Sequence, residues 1–246
     1  MDRLIYTAMT GANAAANRQS ILSNNLANAS TNGFRAQLET YRAVPLRGEG
    51  ATTRVFAVES SAGFSDKPGP ATRTGRSLDA MNMGNSYFAV QGLDGNEGYT
   101  RNGQFEVSPD GTLRTGTGSV VLGSDGGQIT VPTNAEISIG NDGSISAKVG
   151  SDPANAIGRL KLVTPTADDP IRRGEDGLFR ALSGDPLPND DTALVQVGAL
   201  EGSNVNPIET MVGMIQTARQ FEAQMRLLQT AESNDRSAGQ LLSMQG

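Results

Sequence analysis

The chain has 246 residues, with 20 Lys plus Arg against 26 Asp plus Glu, and neither Cys nor His. A net charge of −6 argues against a surface built for nucleic-acid phosphates. The missing imidazole and thiol remove the Ser/His/Asp and Cys/His triads, the HExxH zinc sites and any disulfide framework. No stretch approaches the roughly 20 apolar residues of a membrane helix. Asp2 and scattered polar residues stand where a cleaved signal would be continuously apolar, so no such signal and no membrane insertion are expected.

Residues 1–35 read as an N-terminal helix that pairs with a C-terminal one. Ile5, Ala8, Ala12, Ala15, Gln19, Leu22 and Leu26 recur at steps of three and four, a heptad-like seam with one polar interruption. Its small residues would let a partner helix come close. Asn28, Ser30 and Thr31 lead into Asn32-Gly33, and Gly33 is expected to take the left-handed conformation that ends the helix. About 27 helical residues would span about 40 Å. Asn28-Ala29-Ser30 fits a glycosylation sequon, but at a helix end it reads as a cap.

Residues 36–80 read as an extended connector, with loop-like SDKPGPATRTG at 65–75. Residues 81–200 are Gly-rich and all-β in signature. FEVSPDGTLR (105–114) is a hairpin turning at Asp110-Gly111, and Asp-Gly recurs at 94–95, 125–126, 142–143 and 176–177. These turns suggest a meandering, partly closed sheet or sandwich. Calcium loops would need several acids at alternate positions, whereas GSDGGQ and GNDGSI supply one each. GTGSVVLG (116–123) lacks the Lys and following helix of a nucleotide loop. Asp168-Asp169, Glu175-Asp176 and Asp190-Asp191 are the candidates for a glycosidase carboxylate pair, yet they fall in Pro/Gly-rich loops where solvated charge is the default. A carbohydrate-binding module is disfavoured by four Tyr, seven Phe and no Trp. Neither a cofactor nor a metal is expected.

Residues 201–246 read as a second long helix. Asn206 is the expected N-cap, Pro207 the first helical residue and Glu209 the third, a capping-box start. Met211, Met214, Ala218, Phe221, Met225 and Leu228 form its expected buried seam, which lapses at Glu232 and Asp235 and returns at Ala238 and Leu242. Glu222 and Arg226 stand four apart, suited to an ion pair. Because an Ala-lined seam buries little area, both chain ends are expected to stay mobile in the free monomer and to order against neighbouring copies. The expected fold class is α+β: long N- and C-terminal helices forming a coiled-coil-like helical domain, with a central Gly-rich all-β domain. Copies meeting through non-identical surfaces would build a helix or tube.

Three segments carry a resemblance. SNNLANASTNGFR (23–35) is similar to the N-terminal signature of the bacterial flagellar rod and hook family, YTRNGQFEVSPDGTL (99–113) to its shared β segment, and LEGSNVNPIETMVGMIQTARQFEAQMRLLQ (200–229) to its C-terminal helical signature. MDRLIYTAMTGA and MVGMIQTARQFE resemble the proximal part of the rod, with the distal rod as the alternative; the hook, with its extra outer domain, fits less well. GNSYFAVQG (84–92) carries Ser86 where the family often has Gly at an expected tight turn. The resemblance implies a structural, non-enzymatic subunit of a periplasmic shaft in the flagellar basal body. It further implies export through the type III apparatus without a cleaved signal and assembly beneath a rod cap. Partners would be copies of itself and other rod proteins, with the helices as an inner tube around an export channel, transmitting torque. It assigns helix termination, capping and inter-subunit packing to Asn25, Leu26, Asn28, Gly33 and Phe34, and to Asn204, Val205, Glu209, Met211, Phe221 and Glu222.

Overall fold

A computed structural model describes residues 2–45, 55–133, 135–150 and 153–243. The chain divides into a helical unit (Met1–Ala29, Ala36–Ser65 and Val205–Gly246) and a β unit (Ser30–Arg35 and Asp66–Asn204).

In the helical unit, α1 (Asp2–Ala27) and α2 (Pro207–Ser243) bracket a hairpin of β1 (Gln37–Pro45) and β2 (Val55–Phe64). At 1.5 Å per residue, α1 is about 39 Å long and α2 about 55 Å. The helices pack on each other. Gly11 faces the Gln224 side chain and Gly213 faces Leu22, so they run antiparallel. In that register α2 beyond about residue 235 outruns α1. The hairpin lies against α1: Tyr41 Oη donates to the Ala14 carbonyl at 2.9 Å.

The connector expectation is therefore corrected within 36–65. Residues 37–45 and 55–64 form a paired antiparallel ribbon with one register shift between Thr40 and Tyr41, each strand finding its hydrogen bonds in the other and both lying against α1. The remainder, 66–80, belongs to the β unit, as do 30–35 and 201–204. The unit boundaries thus differ from the expected 1–35, 36–80, 81–200 and 201–246.

The β unit is all-β. Its main sheet runs in the order Ile171–Arg173, Phe179–Ala181, Glu97–Thr100, Tyr87–Gln91, Val120–Val121, Leu113–Thr115 and Phe105–Val107, with Leu162–Val163 also paired to Tyr87–Gln91. Ala135–Ile139, Ser144–Val149 and Asn155–Arg159 form a second sheet. Two short pairs join Ala80–Asn82 to Val195–Val197 and Ala71–Arg73 to Ala199–Glu201. The core gathers Phe88, Phe105, Leu113, Ile145, Leu160, Leu162 and Val195, with Phe88 and Phe105 edge-to-face at 5.0 Å.

The five Asp-Gly turns form as expected. Each glycine has φ between +79° and +82°, and each aspartate accepts the backbone N–H two residues on at 3.1–3.2 Å. The carboxylates thereby close their own turns. Ser86 is accommodated at its turn by donating Oγ–H to the Met83 carbonyl at 3.0 Å, while Gly84 takes the positive φ of +64°.

Candidate functional site

The helical unit positions two distinct faces. The inner face of α1 is the expected one: Ala8, Ala12 and Ala15 are buried, and Ile5, Gln19, Leu22 and Leu26 are half-buried. Asn25 is buried at the end of this row, and its amide serves β1 as a strand neighbour would. Its Nδ2 donates to the Gln37 carbonyl at 2.9 Å and its Oδ1 accepts the Gln37 N–H at 2.8 Å. Asn28 closes the helix by donating its N–H and its Nδ2 to the Asn24 carbonyl, at 3.1 and 2.9 Å.

Asn206 caps α2 by accepting the N–H groups of Ile208 (3.1 Å) and Glu209 (3.3 Å), relieving two of the helix's orphan donors. Glu209 itself is exposed.

The expected seam of α2 is displaced by about one residue. The buried row is Thr210, Thr217 and Ala231, with Gly213, Met214, Gln224 and Leu228 half-buried. Met211, Ala218, Phe221, Glu222 and Met225 are exposed instead. Close approach of α2 to an Ala-lined helix favours small or slender side chains at the contact, and Gly213 meeting Leu22 shows the fit. The bulkier apolar residues are turned outward. Ile208 is 71%, Ile215 55% and Phe221 38% exposed, with Met211, Val212, Met225 and Leu227 exposed beside them. Glu222 and Arg226 do not close an ion pair among the described residues; Glu232 and Arg236 do.

The α1 seam is covered inside the subunit. Among the described residues, large apolar side chains of α2 remain exposed opposite its buried row (Ile208, Met211, Val212 and Ile215) and along its flanks (Phe221, Met225 and Leu227).

A second constellation lies wholly inside the β unit. Glu201 bridges two arginines: Oε1 is 2.8 Å from Arg35 Nη2, and Oε2 lies 2.7 Å from Arg101 Nη2 and 2.8 Å from Nε. All three side chains are at most 2% exposed. Arg101 Nη1 also donates to the carbonyls of Gly84 (2.9 Å) and Ser86. Arg35 Nη1 donates to those of Asp66 (3.0 Å) and Lys67, and Gly69 N–H donates to Glu201 Oε1 at 3.1 Å. Burial holds the Arg35 guanidinium below its ordinary value; Glu201 opposes that shift and the like charge of Arg101 adds to it.

Gly33, Phe34 and Asn204 gather around this cluster. Gly33 N–H donates to the Glu201 carbonyl at 2.7 Å and Asn204 N–H to the Phe34 carbonyl at 3.2 Å. The Asn204 side chain donates to the Lys67 carbonyl at 2.8 Å. Phe34 lies under the Arg173 guanidinium, 4.2 Å from ring centroid to Cζ. Gly33 has φ +71° but sits six residues beyond the end of α1, so it does not terminate the helix as expected. It allows the chain to pass against Arg101 and Asn102, where a Cβ would come within 2.4 Å of backbone atoms. Val205, buried, starts the last segment of the helical unit.

Arg101 and Glu201 escaped the sequence reading as functional residues. The usable signal was that the three resembling segments hold Arg35, Arg101 and Glu201 among their charges, two basic and one acidic. Four of the six loop carboxylates weighed as a catalytic pair are engaged by neighbouring side chains: Asp169 accepts from Ser183, Asp176 from Arg180, Asp190 from Thr164 and Thr192, and Asp191 from Arg159.

Three family models match in chain order. "Flagella basal body rod protein" covers residues 5–35, "Flagellar hook protein FlgE/F/G D1 domain" covers 82–147, and "Flagellar basal body rod FlgEFG protein C-terminal" covers 196–241. Helices at both ends around a β unit, matched in this order, define a protein of the flagellar rod and hook class. At full length, the flagellar basal-body rod protein FlgF of Escherichia coli (strain K12) is 47% identical, over 99% of this chain and 100% of the relative. That of Caulobacter vibrioides is 32% identical over 97% of each, and FlgG of Bacillus subtilis (strain 168) is 29% identical over 94% of this chain and 96% of the relative. The chain belongs to the FlgF family of flagellar basal-body rod proteins.

Proposed function

We propose that this chain is a structural subunit of the proximal flagellar rod, held in a helical assembly by burial of the outer α2 face against neighbouring copies and other rod proteins. The observation that carries the reading is that outer face. Bulky apolar side chains from Ile208 to Leu227 stand in water in the isolated chain, inside the segment matched to the C-terminal rod model. Exposed apolar surface of this extent marks a contact surface, and a face that meets a different surface on the next copy propagates a tube instead of closing a dimer. In such a tube the helices would line the axial export channel and the β unit would form the outer layer, passing torque toward the hook. Export unfolded through the flagellar apparatus without a cleaved signal, transient engagement of the rod cap and residence in the periplasmic rod complete the proposal. The distal-rod alternative is disfavoured by the 47% identity to the E. coli FlgF over the full length of both chains.

The test is complementation of a motile host lacking its own FlgF. The wild-type chain is expected to restore swimming in soft agar and to appear in purified basal bodies. A Phe221→Glu/Met225→Glu variant is expected to be secreted yet absent from basal bodies, with swimming abolished. Normal swimming by that variant would overturn the reading.

A further inference from the structure

The Arg35–Glu201–Arg101 cluster stands within a few residues of three of the four places where the chain passes between its units. Those passages follow residues 29, 35, 65 and 204. Glu201 holds Arg35 directly, Gly69 through its N–H, and Arg101 in the middle of the sequence. We infer that Glu201 is a completion latch: the segments 30–35 and 66–69 settle into the β unit only when the C-terminal strand Ala199–Glu201 brings its carboxylate between the two buried guanidinium groups.

The physical reason is charge balance. Remove Glu201 and two cations remain, each nearly free of water, with backbone carbonyls as their other acceptors. Buried charge left without its counter-ion is strongly unfavourable, and the burial and like-charge repulsion that depress Arg35 act in that direction. Replacing such an ion cluster by apolar residues is often neutral or stabilising. Its use here is therefore conditionality: a chain presented N-terminus first holds Arg35 and Arg101 long before it holds residue 201, and the latch keeps its N-terminal signature open until the last fifth of the chain arrives. This use rests on the export reading above; the latch itself is decided on purified protein, so its failure and that of the rod reading are separable.

Amide hydrogen exchange during refolding of the full chain reads it out. Leu113 and Val131, whose N–H groups bond within the sheet region to Ile129 and Gly111, report the core. Gly33, Gly202 and Asn204, bonded to Glu201, Pro70 and Phe34, report the latch. In the wild type the core amides are expected to be protected first, and the latch amides later and together. Glu201→Gln keeps the backbone carbonyl and a side-chain acceptor but loses the charge. It is expected to lower Gly33 and Asn204 protection at least tenfold while Leu113 and Val131 keep theirs. Should Glu201→Gln fail to fold, Arg35→Met leaves one balanced Arg101–Glu201 pair, and there Gly33 protection alone is expected to fall tenfold or more with the core intact. Protection of Gly33 ahead of Gly202 in the wild type, or within twofold of wild type in whichever variant folds, would overturn the latch.

Discussion

At Gly33 the constraint is steric and conformational at once. A side chain there meets the Arg101–Asn102 backbone at 2.4 Å in a left-handed conformation, so Gly33→Ala is expected to destabilise the β unit by about 2–4 kcal/mol. Gly118, at φ +91° with open space around its Cα, is the control, and alanine there should cost about 1 kcal/mol; urea midpoints of the two variants distinguish the cases. The turn aspartates give a second residue-scale expectation. Asp110 is held well below the usual carboxylate range by the hydroxyls of Thr112 and Ser108 and by the Thr112 N–H, and Asp94 and Asp142 are lowered by analogous bonds from Asn96 and Ser144. A carboxylate with a depressed folded-state pKa stabilises the fold above its unfolded value, about 3.9, and loses that contribution as pH falls toward the lower folded value. In that window the unfolded chain binds more protons. The urea midpoint should therefore drop below about pH 4, and Asp110→Asn should flatten the drop.

At the scale of the element, the two faces of the helix pair answer differently to substitution. Ala15, buried against its neighbours, has no room: Ala15→Leu is expected to cost about 1–3 kcal/mol by overpacking, seen as a lower midpoint of the helical signal in urea. Ile215→Glu, on the outer face at 55% exposure, should change the monomer by no more than about 0.5 kcal/mol while removing incorporation into basal bodies. A protein in which these two results were exchanged would have its contact face where the sequence periodicity alone places it. Helix existence, the Asn206 start and the Asn28 finish were legible in the sequence, since caps and periodicity are local. Which stripe of α2 faces inward was not. Met and Phe are the most hydrophobic choice for a seam, but the partner's alanines reward close approach, and that preference exists only once the partner is known.

Over the whole molecule, charge is partitioned. The helical unit carries eight basic and eight acidic residues and the β unit twelve and eighteen, so the entire −6 belongs to the β unit. A neutral unit with an apolar face should associate by a force that salt does not screen. Self-association measured by sedimentation is therefore expected to persist or strengthen between about 0.05 and 0.5 M NaCl; dissociation at the higher salt would assign it to charge on the β unit instead.

Local chemistry written in the chain determined the two helices, their caps, the five Asp-Gly turns and the alternation of a Gly-rich sheet, because each depends on residues a few positions apart. Membership of the flagellar rod class was also legible, through contiguous signatures. Three-dimensional folding alone decided that residues 37–45 and 55–64 pair as a ribbon, that α2 turns its large side chains outward, and that Arg35, Arg101 and Glu201 meet. Those outcomes depend on groups as much as 166 positions apart, whose attraction acts only at contact distance, and nothing in a linear pattern brings them there.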